Sequence, residues 1–144
     1  MSQVTVIYHS FTGTTKQLAE AAVEGAKEAG AEAVLVAASE AGVKDLADAT
    51  AVLVAMPQSF GTMTGEVKSM FERFYVQKDE IKGELPMAVI VNHFNDPDMT
   101  LGLMTGITGA LGFVPFGEWL KLNAGELESN LSVARELGAA LANA

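Results

Sequence analysis

The sequence contains no cysteine, which excludes disulfides, thiolate metal ligands and a cysteine nucleophile. Any redox chemistry must therefore come from a cofactor, and the absence agrees with a reducing compartment. Basic residues are scarce: nine Lys and Arg face 18 Asp and Glu, for a formal charge of −9 and a pI near 4.5. Such a charge repels phosphate backbones and anionic lipid, so nucleic acid is not an expected partner. Acidic faces that keep the protein soluble are the first explanation of the charge, and steering toward a basic redox partner is the second. No apolar run approaches the roughly 18 residues of a membrane span. The N-terminus, Met1-Ser2-Gln3-Val4, has no basic segment followed by an apolar one, so no secretory signal is read there and the cytoplasm is the expected location.

What is present is a 144-residue chain, 49% hydrophobic with 14 Gly, and the expectation is one domain, 1–144. No repeat, low-complexity tract or linker divides it. Strand-like apolar runs occur at Val4–His9, Ala33–Val36, Ala51–Ala55, Met87–Val91 and Phe113–Leu122. Helical periodicity lies between them. Leu18, Ala21, Ala22, Gly25, Ala26 and Ala29 share one face and stop at Gly30, a C-terminal signal. Val67, Met70, Phe71, Phe74 and Tyr75 form a second stripe, with Thr64 as its cap and Glu66 against the dipole. Leu127, Leu131, Ala134, Gly138 and Leu141 form a third, while Ser39–Thr50 has room only for a short turn around Val43–Ala47. Near-continuously apolar strands alternating with helices predict an α/β, three-layer, doubly wound, five-stranded parallel sheet of order 2-1-3-4-5. Ligands of such sheets sit beyond the C-terminal strand ends, near the strand-one/strand-three switch point, so the loops that start at His9, Met56 and Asn92 are the ones to inspect. Trp119, near strand five, is expected to pack at the sheet edge.

The first of these loops reads Ser10-Phe11-Thr12-Gly13-Thr14-Thr15. Four hydroxyl residues around a glycine, directly before a helix, place backbone N–H groups and O–H donors in one concavity suited to a phosphate. Simple N-capping by Thr14 or Thr15 is the alternative. The G-x-x-x-x-G-K-[ST] loop is absent, and G-x-G-x-x-G does not follow strand one. Met56-Pro57 stands where a phospho-acceptor domain of this topology would carry Asp.

This loop resembles the flavodoxin phosphate loop, [ST]-x-T-G-x-T, at every defined position. The resemblance implies bound flavin mononucleotide (FMN), with Ser10, Thr12 and Thr15 giving hydroxyls to its phosphate and the amides of Phe11, Gly13, Thr14 and Thr15 closing around it. The second loop, Met56-Pro57-Gln58-Ser59-Phe60-Gly61-Thr62-Met63, is similar to the P-x-x-F-G-x-M segment of flavodoxin-like NAD(P)H:quinone oxidoreductases and FMN reductases. It implies that Pro57 and the Gln58, Ser59, Phe60 and Gly61 backbone line the isoalloxazine edge. Lys68 and Arg73 fit the same pattern and are assigned to helix and subunit packing. In the third loop, Asn92, His93, Phe94 and Asn95 are candidates by position alone, for contact with the pyrimidine side and ribityl chain. His93 reads first as a structural loop residue, and His9 as core or rim.

The function implied is that of an FMN-binding, low-potential electron carrier, favoured by small size and acidity. The alternative is an NAD(P)H-dependent quinone or FMN reductase, and a non-redox interaction module that has lost FMN is third. The corresponding partners are redox proteins or a small quinone-type acceptor, for a monomer or small homo-oligomer. No metal site and no catalytic side chain is read from the sequence.

Overall fold

Valine-rich segments make the centre of the fold because β-branched side chains fit a pleated surface covered on both faces. In the computed structural model, which describes residues 2–144, they form β1 (Gln3–Tyr8), β2 (Glu32–Ala37), β3 (Ala51–Pro57) and β4 (Pro86–His93). All pair in parallel, with Val4 opposite Ala51 and Val52 opposite Met87. Helices α1 (Thr14–Glu28), α2 (Gly65–Val76), α3 (Asp98–Ala110) and α4 (Leu127–Leu141) supply the crossovers and coverage. Alternate residues of each strand feed two cores. Val52, Val54 and Met56 pack with Phe71 and Phe74 of α2 and Met104 of α3. Leu53 and Ala55 pack instead with Leu18 and Ala22 of α1 and Leu141 of α4. Each large side chain so buried contributes about 1.5–3 kcal/mol.

The strand order is 2-1-3-4-5, as expected, but the fifth position is divided. The run read as one strand, Phe113–Leu122, forms β5 (Val114–Pro115), paired with Pro86 and Met87, and β6 (Leu120–Asn123), paired with Ile90 to His93. Gly117, at φ +63°, makes the break. The Met87 carbonyl at the gap accepts from Phe116 N at 2.8 Å and from Trp119 Nε1 at 3.1 Å. Trp119 thus patches the sheet rather than only packing against it.

Other differences concern helix ends. Thr64 does occupy the N-cap position of α2, but its hydroxyl makes no cap bond and is buried without a partner. The turn around Val43–Ala47 is a 3-10 helix over Val43–Leu46, held where Asp45 Oδ2 accepts from Gly42 N at 2.8 Å. Gly30 follows the C-cap of α1 at φ +95°, as its sequence position suggested.

Helices α1 and α4 cross at two glycines. A Cβ on Gly25 would lie 1.9 Å from the Arg135 carbonyl oxygen, and one on Gly138 would lie 1.9 Å from that of Ala22. Backbone cannot yield as a side-chain tip can, so Gly25→Ala or Gly138→Ala is expected to destabilise by about 3 kcal/mol, lowering Tm by roughly 6–12 °C for a chain of this size. Gly102 and Gly106 of α3 have open space at the same position. Alanine there should stabilise by about 0.5–1 kcal/mol. Thermal unfolding followed by circular dichroism checks both signs, and a loss of stability at all four positions would contradict the packing argument.

Candidate functional site

At the C-terminal ends of β1, β3 and β4, three connections surround a cleft of about 530 Å³. Phe11, Thr12, Thr14 and Thr15 line it from the first connection, Pro57, Gln58, Phe60 and Gly61 from the second, and Asn92, Phe94 and Asn95 from the third. Ala124, just past β6, completes the wall. No lining residue is charged. A second groove of about 420 Å³, between α2 and α3, is lined mainly by Phe71, Tyr75, Val76, Ile107 and Leu111. Its charged lining residues, Lys68 and Glu72, are paired with each other at 3.0 Å, which makes it the weaker candidate for a small polar ligand.

The first connection is a helix N-terminus opened by glycine. Gly13 is the N-cap of α1 at φ +95°, a left-handed conformation that side chains resist. The first helical bond runs from Gln17 N to Gly13 O at 3.1 Å, so the N–H groups of Thr14, Thr15 and Lys16 precede the helical ladder and belong to its positive end. Ser10 Oγ accepts from Gly13 N at 2.9 Å, and the Thr12 and Thr14 hydroxyls lie 3.4 Å apart. The Gly13 amide is therefore engaged within the loop. Neither threonine nor any other side chain caps the helix.

The second connection is a two-residue hairpin. Ser59 and Thr62 exchange both backbone hydrogen bonds, at 2.8 and 2.9 Å, with Phe60 at φ +48° and Gly61 at φ +77°. Positive φ at both central residues suits Asn-Gly, and a phenylalanine at the first costs about 1–2 kcal/mol. Its ring is fully exposed. The hairpin is tied to the third connection at three points: Gln58 N donates to Asn92 O at 3.1 Å, Gln58 Nε2 to Asp96 O at 2.6 Å, and Thr100 Oγ1 to Gly61 O at 3.3 Å. Phe11 and Phe94 are exposed as well, at 64% and 80%. Three aromatic rings thus stand in water around one polar cleft, where isolated burial would ordinarily be favoured.

Of the 15 residues assigned to the flavin site from the sequence, all but Ser10, Gly13, Ser59 and His93 line this cleft. Ser10, Gly13 and Ser59 shape it through the backbone bonds just described. His93 extends from β4 on the opposite face to Asn92, and its Nδ1 is buried without a partner, as is that of His9, whose ring meets Phe11 edge-on at 4.7 Å. Arg73 serves packing: Nη2 donates to the carbonyls of Ala38 at 2.6 Å and Ala41 at 2.8 Å, fastening α2 to the segment after β2. Lys68 pairs with Glu72 at 3.0 Å on the exposed side of α2. Thr100, which holds Gly61, and Ala124 were not among the sequence candidates. Ala124 follows a strand end, a signal visible only once β5 and β6 are separated. Among the described residues no group of three His, Asp or Glu could hold a metal, and no helix is long and apolar enough to cross a membrane.

The flavodoxin family profile matches residues 6–130. The chain belongs to the flavodoxin family. It is similar in structure to an archaeal flavodoxin (TM-score 0.86, 16% identity, 98% of this chain and 96% of that one). A flavodoxin, WrbA-like protein from Agrobacterium tumefaciens gives TM-score 0.82 at 23% identity, over 99% and 96%. The two-electron reduced flavodoxin of Megasphaera elsdenii gives 0.83 at 22%, over 98% and 99%. These likenesses bear on the fold. In sequence, 94 residues are 32% identical to an NAD(P)H dehydrogenase (quinone) from Acidithiobacillus ferrooxidans, covering 51% of this chain and 47% of that protein. The chain thus spans about half the length of the curated relative it matches.

Membership of this family makes the protein an FMN-binding redox protein. The cleft fits that cofactor on its own terms. A glycine-opened helix N-terminus suits the phosphate, exposed aromatic rings suit a flat heterocycle, and Asn92 Oδ1 is a buried acceptor without a partner. The volume is also within the range of small-molecule sites.

Two outcomes follow. Thr12→Ala should weaken FMN by about 10- to 150-fold, since a hydrogen bond to a charged group contributes about 1.5–3 kcal/mol, while riboflavin, which lacks the phosphate, should barely change. Fluorescence titration of both flavins into apoprotein measures this, and equal losses would contradict a phosphate role for the loop. Phe60→Asn should relieve the positive-φ strain, raising the apoprotein's stability by about 1 kcal/mol, yet weaken flavin binding. An unchanged or lower apoprotein Tm would remove the strain argument.

Proposed function

We propose that this protein is a low-potential electron carrier that exchanges electrons with larger redox proteins, and that 1–144 acts as one domain in the cytoplasm. The observation that supports this most directly is the uncharged, aromatic-rimmed cleft on a body of formal charge −9. Bound FMN supplies the electron chemistry. The chain's own residues bind and orient it: the Thr12, Thr14 and Thr15 side of the first connection takes the phosphate, and the Gln58–Gly61 hairpin with Asn92–Asn95 takes the ring and ribityl chain. Exposed Phe11, Phe60 and Phe94 leave an apolar rim through which a partner can approach closely. The formal charge of −9 favours a partner with a basic face.

An NAD(P)H-dependent quinone or FMN reductase is the competing reading, supported by the sequence likeness to the quinone dehydrogenase. Against it stands the composition of the wall, which offers no Lys or Arg to the phosphates of a dinucleotide. Lys121, on β6, is already paired with Asp98 at 3.2 Å.

Mixing holoprotein with NADPH and benzoquinone separates the two. A carrier should oxidise NADPH no faster than free FMN does, and should pass electrons from a ferredoxin-type reductase to cytochrome c at a rate that falls with ionic strength. Turnover of NADPH well above the free-FMN control would establish the reductase instead.

A further inference from the structure

We infer that the groove between α2 and α3 is the contact surface for a second copy of this chain, packed about a two-fold axis. The inference does not depend on the carrier reading. Residues 99–117, which take in all of α3 after Asp98, contain no Asp, Glu, Lys or Arg, although 19% of the chain is charged. A solvent-facing helix ordinarily carries charge on its outer side. Here Met99, Leu103 and Ile107 instead recur at four-residue spacing along α3, the first two exposed at 69% and 46%. Tyr75 and Val76, in the last turn of α2, are exposed at 57% and 83%. Between the two helices lies the recess of about 420 Å³ that the buried Phe71 and Leu111 help to line. Exposed apolar surface of this continuity marks a contact site.

Shape and charge both select a copy as the occupant. The surface holds a recess and, beside it, projecting apolar side chains, so a two-fold axis brings the projections of each copy to the recess of the other, because an isologous contact uses one patch twice. Among the residues lining the groove only Lys68 and Glu72 are charged, one of each sign. Their side chains are 52% and 67% exposed, and their contact at 3.0 Å is of the exposed kind that contributes little on its own. A strongly basic or strongly acidic partner would meet one complementary charge and one opposed. A copy turned about a two-fold axis offers Glu72 to Lys68 and Lys68 to Glu72, which complements both. Elsewhere the formal charge of −9 makes copies repel, so a face without net charge is where they can meet. No residue lines both this groove and the flavin cleft, so the contact does not occupy the cleft.

Sedimentation velocity of the FMN-loaded protein over a concentration series tests this. The wild type should approach twice the 15.1 kDa of one chain, with a Kd in roughly the micromolar range. Leu103→Lys and Val76→Lys each put a cation into the apolar contact and should weaken the dimer by about 10-fold or more, with FMN affinity unchanged. Val76→Lys stands at a helix C-terminus, where a cation suits the dipole, so it keeps the test open should Leu103→Lys fail to fold. Lys68→Glu should also weaken the dimer, and adding Glu72→Lys should restore it, because the double variant is again self-complementary. A wild type that stays monomeric up to about 1 mM would overturn the inference and leave the groove to a partner of other chemistry. A dimer indifferent to both lysine variants would overturn it by placing the contact elsewhere, and failure of the double variant to restore association would overturn the two-fold arrangement.

Discussion

The parallel register of β1, β3 and β4 is the constraint on which the rest depends. Val4 opposite Ala51, Val52 opposite Met87 and Pro57 opposite Asn92 bring three strand ends to the same level. A slip of one residue in any pair would turn each strand's alternating side chains toward the wrong core. Burial prevents this, because Val52, Leu53, Val54, Ala55 and Met56 are all fully enclosed and face two differently shaped layers. The loops have little fold of their own. Their mutual bonds, Gln58 to Asn92 and Thr100 to Gly61, are short-range consequences of strand ends already placed.

Much of this was legible in the chain. Uninterrupted runs such as Ala51–Ala55 signalled strands buried on both faces, and Ser10–Thr15 carried its own chemistry as hydroxyls and a glycine before a helix. Helix α3 was not legible in the same way. Its sequence, DMTLGLMTGITGA, holds three glycines and three threonines, which weaken helical propensity, and its inward face is partly threonine: Thr100 and Thr108 are buried. Thr108 manages by donating to the Met104 carbonyl at 2.8 Å, a bond invisible to a hydrophobicity pattern. Tertiary packing of Met104 overrides local preference there. The break between β5 and β6 was hidden for the converse reason, since Phe113–Leu122 is apolar enough to read as one strand and only Gly117 marks the turn.

The cleft departs from the rules that the remainder obeys. Elsewhere, carbonyls such as those of Ala38 and Ala41 find a side-chain donor in Arg73, and the buried Thr64 hydroxyl is the exception. Around the cleft a phenylalanine occupies a left-handed turn, aromatic rings stand in solvent and an amide oxygen lies unpaired. Each costs stability on its own, and their convergence at the ends of three strands is what distinguishes a binding site from a poorly packed region.

Charge supplies the last link to function. The phosphate-loop side of the cleft offers neutral dipoles, and the nearest lysine in sequence, Lys16, has its ammonium 5.9 Å from the centre of the Tyr8 ring. No Lys or Arg lines the cleft, so a dianion bound there would be held by neutral dipoles in a chain of formal charge −9. Adding an electron to a ring in that setting works against every nearby carboxylate, at about 0.4 kcal/mol per charge at 10 Å in water and more where protein replaces water. Summed over several acidic residues and reduced by salt, this favours giving electrons away over keeping them. On the proposed carrier reading, the same field that lowers the potential would draw in a basic acceptor, so one excess of Asp and Glu over Lys and Arg would serve both the thermodynamics and the encounter.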